Sequence, residues 1–457
     1  MDNIARTQHN HRRFYSLLAF LLGLISLRYA LQIDIPPVLF LVIIICMALF
    51  GDLNEICCIC ICCIPLHESI DLFYALAFCV SIIAIKYPRK IELNLAVAPI
   101  YAMIVWELLH CIRSDFSIMT FIVNCIPLLV LAIFMCIDAR KIDYCYIGRA
   151  FAITLTVICM SSLLKLLYLS DFNILKTFAG LQRLGHDASE VSLDGKGSIQ
   201  TNTLGILCVL AITWLMQLRM AGSGSSRDIV LVILMAVFGT LTASRTYLVC
   251  LVLMLALLLF SHRGSLERKL RFLGGMVMLA MIALALLYLI FPDLMEYYIS
   301  RFAEKDITAG RDVLMVKYHK FILDNPKVMF WGLGLNRFNE DLMLVHKVAA
   351  NVPHNGIQEL VIAWGFPGII MFICLWGVMI WRSRHFCTKK RLINYILLII
   401  ILVKSQAGQM LNSSYTMLTF CFAYLSMCQN FFQANKGYSD FLSAPMPNKT
   451  ARRGEKV

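Results

Sequence analysis

The sequence predicts an all-α fold, a polytopic transmembrane bundle of about 12–14 spans with a long helical extracytoplasmic loop. Three observations carry that expectation. The chain is 60% hydrophobic and 15% charged, with a mean hydropathy of +0.76, whereas a soluble domain sits near half apolar and a quarter charged. Apolar runs of about 20 residues, long enough to cross a bilayer as a helix, recur along its 457 residues. The runs do not alternate apolar and polar positions, as a transmembrane barrel would.

Taken in order, the candidate spans are 14–32, 36–50, 70–85, 93–112, 116–137, 147–169, 203–218, 229–243, 246–261, 270–291, 357–381, 392–410 and 414–432. Residues 1–13 are basic and lack an A-x-A cleavage site, so the first span reads as an uncleaved anchor. Lys and Arg cluster in 1–13, 86–92, 138–149, 219–228, 261–269, 382–391 and the tail after Lys436, which the positive-inside rule places in the cytoplasm. Both termini are then cytoplasmic only if 55–66 also crosses. Two long connections fall outside, 170–201 and 292–353, with a shorter external corner at 242–246. The organisation expected is N-terminal helices over 1–169, a core over 170–381 that includes the external loop 292–353, C-terminal helices over 382–435, and a disordered cytoplasmic tail over 436–457.

Composition also excludes some functions. The formal charge is +13, yet the basic residues lie in short connections, which argues for a lipid bilayer rather than nucleic acid as partner. The cysteines at 57, 58, 60, 62 and 63 alternate with Ile56, Ile59, Ile61 and Ile64. They lack the second pair and polar shell of a zinc site and read as small buried hydrophobes. No disulfide framework is expected, and no metal or other cofactor.

The polar external loop carries the densest chemistry. Residues 312–324 have helical spacing, with Val313, Leu314, Lys317, Tyr318, Phe321 and Ile322 on one face. Asn325-Pro326 is expected to stop that helix, and Gly332-Leu333-Gly334-Leu335-Asn336 to send the chain back. Arg311 opens the helix, where a cation opposes the helix dipole. A bound phosphate would offset that cost, as would a salt bridge to Asp306 or Asp312. Arg245 stands between two apolar runs, where a guanidinium either grips a diphosphate or snorkels to the interface. His354 sits at the mouth of the span 357–381, and its imidazole can take a proton from a hydroxyl near neutral pH. A capping or surface histidine is the alternative. Asn355 and Gly356 favour a helix start there, and Gly365 and Gly368 suit close helix packing. Arg183 is a further candidate anion contact. Asn202, a plausible helix cap, joins Gln200 as a candidate contact for sugar hydroxyls.

In order, these residues are Arg183-Leu184-Gly185, Gln200-x-Asn202-x-Leu204-Gly205, Ser244-Arg245, Gly310-Arg311, Asn325-Pro326, Gly332-x-Gly334, then His354-Asn355 followed by Leu360, Gly365 and Gly368. The ordered set resembles the O-antigen ligase and O-antigen polymerase superfamily of bacterial inner-membrane proteins, over roughly 181–381. Two positions depart from it. Ala363 stands where the family often has an acidic residue, and Thr201 where it often has Pro. The resemblance implies a GT-C-like helical glycosyltransferase of the bacterial cytoplasmic membrane, active on its outer face without a metal. Its donor would be a polyprenyl-diphosphate-linked oligosaccharide. Arg245 and Arg311 would hold the diphosphate, His354 would act as base or position the acceptor, and Arg183, Gln200, Asn202 and Asn355 would contact substrate.

Three functions are compatible. A polymerase joins lipid-linked repeat units into an O-antigen, capsule or exopolysaccharide, with a flippase and a chain-length regulator as candidate partners. A ligase passes the glycan to lipid A–core or another acceptor. A transporter of lipid-linked sugars fits less well, because the arginines and histidine lie at span ends rather than at the midplane and no inverted repeat is visible.

Overall fold

In the computed structural model every regular element among the described residues is helical, and no strand is present among them; isolated bridge residues occur at Gln200 and in the pair Ile91 and Ile137. The structure describes residues 2–31, 33–66, 73–92, 94–113, 118–139, 142–173, 183–185, 199–261, 311–335, 355–387, 391–406, 408 and 414–429, with isolated positions between 267 and 300. The protein is an all-α polytopic bundle. Four segments are long and apolar enough to cross a membrane: Leu95–Arg113, Tyr144–Leu169, Thr201–Met220 and Gly356–Phe386. Shorter apolar helices surround them.

The first half comprises α1 (Asp2–Ala30), α2 (Pro37–Phe50), α3 (Leu53–Cys62), α4 (Phe73–Lys86), α5 (Ala98–Arg113), α6 (Ile118–Cys136) and α7 (Tyr144–Leu169). The segment 55–66 lies in α3 and a following 3-10 turn, Ile64–Leu66, and is buried throughout. At the usual rise per residue they reach roughly 21 Å, short of a ~30 Å hydrocarbon core. Asp52 starts α3 in a capping box with Glu55. The five clustered cysteines are all buried among isoleucines, and the 18 cysteines, all of them among the described residues, form no disulfide.

The second half comprises α8 (Thr201–Met220), α9 (Ser226–Leu241), α10 (Arg245–Ser261), α11 (Arg311–Asp324), α12 (Pro326–Trp331), α13 (Gly356–Phe386), α14 (Leu392–Gln406) and α15 (Ser414–Cys428). The span expected at 270–291 lies mostly outside the described residues, as does the tail 436–457. Helix α8 is the central post, apolar on almost all sides and packed against α7, α9, α10 and α14. Connections read as cytoplasmic meet one another. Arg149 Nε and Nη2 donate to Asp228 at 2.9 and 3.1 Å, and Arg382 Nη2 donates to Glu92 at 2.8 Å.

Asn325-Pro326 stops α11 as expected, its last residue being Asp324. Pro326 then opens α12 at its first position, where a missing N–H costs nothing. The buried face of α11 is narrower than its spacing suggested: Leu314, Tyr318, Phe321 and Ile322 pack inward, whereas Val313 and Lys317 are exposed. Burial pushes the Tyr318 phenol up to about 12. Gly365 allows the close helix packing expected of it, against Phe330 of α12, and it also breaks α13 with φ 67° and ψ −163°.

That break forms a seam with the turn after α12. Leu333 N donates to Ile362 O and Gly334 N to Ala363 O, both at 2.8 Å. A Cβ on Gly332 would stand 2.3 Å from Ala363 O, and one on Gly365 would stand 2.6 Å from Phe330 O. Two glycines thus let two backbones touch, each at the other's partner segment. Helix α5 closes the seam from the side. Glu107, 1% exposed, accepts from Leu335 N at 3.2 Å and from Trp364 Nε1 at 2.7 Å. Trp106 donates Nε1 to Trp364 O and stacks on Trp331 with ring centroids 5.4 Å apart.

Candidate active site

The candidate site is built at the end of the bundle where α8 and α10 begin and α9 ends. Thr242-Ala243-Ser244 turn the chain between α9 and α10, with Ala243 in the left-handed region at φ 47°. Thr242 Oγ1 donates to Gly239 O, and Ser244 Oγ accepts from Tyr247 N at 3.3 Å. The corner is tight because small residues line it. A Cβ on Gly205 would stand 3.0 Å from Tyr247 Cβ and 3.1 Å from Thr242 Oγ1, and Gly239 leaves room for the Tyr247 ring. Arg245 follows this corner as the first residue of α10, so a buried turn sets the base of its side chain.

Three of the expected motifs converge here. Arg183 Nε donates to Thr242 O at 3.0 Å, and Leu184 N donates to Leu241 O at 3.0 Å. Gly185, at φ 99°, lies against the backbone of Ile199 and Thr201. Ser244 Oγ donates to Asn202 Oδ1 at 2.9 Å. Asn202 is therefore not the cap of α8. Gln200 occupies the cap position, makes no capping hydrogen bond with its side chain, and accepts from Thr203 Oγ1 at 3.4 Å. Segments some 60 residues apart in sequence thus share one corner bearing Arg183, Gln200, Asn202 and Arg245.

Asn355 stands on a second group of helix ends. Its Oδ1 caps α13 by accepting from Ile357 N and Gln358 N, both at 3.1 Å. Its Nδ2 faces Gln406 O, at the end of α14, at 3.4 Å. Gln358 Nε2 donates to Met315 O at 2.8 Å, which ties the first turn of α13 to the start of α11. Arg311 is the first residue of α11. His354 lies outside the described residues.

Helix α14 joins the two groups, since it packs along α10 and its end meets the start of α13. Two charged residues at this junction were not singled out from the sequence. Lys404, in the last turn of α14, interacts electrostatically with Glu359 of α13 and Cys250 of α10, and Glu359 is 1% exposed. A third, Glu107, belongs to the nearby seam. The signal that would have found all three is the cost of an ionisable residue inside an apolar span. Among the described residues, no group of three or more His, Cys, Asp or Glu is placed to hold a metal ion.

Both Arg245 and Arg311 begin helices of 17 and 14 residues. Tyr247 N in α10 and Val313 N in α11 already donate to Ser244 Oγ and Asp312 Oδ1, but the partial positive charge of a helix start still favours an anion and disfavours a cation. An arginine at such a position can therefore share an anion with the amides beside it.

Residues 230–373, a little under a third of the chain, match a family model described as O-antigen ligase. The match supports the O-antigen ligase and polymerase superfamily that the ordered motifs resemble, and with it an O-antigen ligase or polymerase type of function in general. It takes in Arg245, Arg311, His354, Asn355, Glu359 and the seam, while Arg183, Gln200, Asn202, Glu107 and Lys404 lie outside it. No curated protein matches the chain.

Proposed function

We propose that the protein polymerises polyprenyl-diphosphate-linked oligosaccharide repeat units into a surface polysaccharide, on the outer face of a bacterial cytoplasmic membrane. The observation that carries this reading is the pair of arginine-headed helices, α10 and α11, within a chain whose matched region is described as O-antigen ligase. The leaving group is a lipid diphosphate, and its developing charge calls for fixed positive contacts. Arg245 and Arg311 hold it through their guanidinium forks, aided by the amides of their helix starts. His354 takes the proton of the attacking sugar hydroxyl, a weak nucleophile unaided. Arg183 orients the donor from the α9–α10 corner. Gln200, Asn202 and Asn355 contact sugar hydroxyls. The transfer needs no metal.

Ligation is the second reading, favoured by the description of the matched family. Here the acceptor is lipid A–core or another terminal carrier, and the same residues keep their roles on the donor. Gel analysis of surface glycan in a deletion strain separates the two. Surface material of a single repeat unit means lost polymerisation. Intact polymer held on its lipid carrier means lost ligation. An unchanged ladder refutes both.

A further inference from the structure

Helix α14 carries one charged residue, Lys404, in an otherwise uncharged run. Its face is set by its neighbours one and two turns back. Leu397, Ile400 and Ile401 are at most 1% exposed, so Lys404 shares the side turned to the bundle interior rather than to lipid. The ammonium turns toward the helix end: a Cβ on Gly408 would stand 3.8 Å from Lys404 Nζ. That is the end where Gln406 O meets Asn355. Glu359 on α13 and Cys250 on α10 interact electrostatically with the side chain, and Arg245 heads the same α10.

We propose that Lys404 is a further contact for the donor's diphosphate, an inference that rests on the reading of the site given above. Among the described residues one carboxylate, Glu359, acts electrostatically on Lys404, while Arg245 heads the helix beside it. A diphosphate carries at least two negative charges and can be shared by cations on two helices, where a single carboxylate leaves positive charge in excess. Lysine suits the place because a compact ammonium on a flexible stem reaches an oxygen without the planar fit an arginine needs. A purely structural Glu–Lys tie between α13 and α14 would affect stability but would not discriminate between ligands with and without phosphate.

The test uses the full-length protein purified in detergent, with undecaprenyl diphosphate and undecaprenol as paired probes in a fluorescence titration. Wild type is expected to prefer the diphosphate. K404M should cut that preference about tenfold or more, the scale of a lost charge-assisted contact, and K404R should recover most of it. Should K404M fail to fold, E359Q/K404M removes both charges together, leaves no lone buried carboxylate and is read the same way. A wild-type preference in K404M, or in the double variant, overturns the role of Lys404 while the donor reading stands. No preference in wild type overturns the donor reading, and this inference with it.

Discussion

Gly365→Ala is the most direct challenge to the architecture. At φ 67° and ψ −163° the residue occupies backbone space that only glycine adopts readily, at a cost of order 1–3 kcal/mol for other residues. The new Cβ would meet Phe330 O at 2.6 Å, so the seam must open. Opening threatens the two hydrogen bonds from Leu333 N and Gly334 N, each worth about 1 kcal/mol net. The combined loss is on the order of 3–5 kcal/mol. Gly377, in the same helix, has no atom within 4 Å of its would-be Cβ. Gly377→Ala should be neutral or stabilising by up to ~1 kcal/mol, through helix propensity. Thermal unfolding followed by circular dichroism compares the two in one detergent. A G365A melting curve that overlays that of G377A would refute the seam.

Glu107→Leu leaves the part-buried Leu335 amide and the buried Trp364 indole without their acceptor, at about 1–3 kcal/mol for the indole and less for the amide. It should melt well below Glu107→Gln, whose side-chain oxygen still accepts; equal melting would show that the carboxylate is not a structural clasp. His354→Ala should abolish glycan elongation while the protein is made and inserted in normal amounts, and retained chain length on a gel removes His354 from catalysis. Arg311→Lys should lose most activity, because a point charge does not reproduce a two-pronged grip; full activity reduces Arg311 to generic charge. Addition of a chelator should leave transfer by the purified protein unchanged, and a requirement for added divalent ion contradicts the mechanism.

Hydropathy was sufficient for the helices because burial in lipid and burial in protein select the same apolar runs. The run 203–218 became α8, Thr201–Met220, and 246–261 became α10, Arg245–Ser261. The corner joining Arg183, Asn202 and Arg245 was legible as three separate polar motifs, but not as one place. Its contacts run from Arg183 to a main-chain oxygen and from Ser244 to Asn202, and neither leaves a periodic trace in the sequence. The seam was hidden for the same reason. Main-chain groups pair there, and glycine marks the position without saying what it approaches. Lys404, Glu359 and Glu107 were lost to averaging, since a window of apolar neighbours outweighs one charge. The α11 face came out too broad because Val313 and Lys317 fit the helical period yet are exposed, no described residue covering them.

The stacking of Trp106 on Trp331, with Trp364 joined to both Trp106 and Glu107, gives the molecule a built-in optical reporter. Half of its six tryptophans crowd this one junction between α5, the end of α12 and the first part of α13. Indole emission responds to ring separation and to nearby carboxylates. Any substrate that draws the α11–α12 segment toward or away from the bundle will therefore change the colour and yield of the protein's own light, with no label attached.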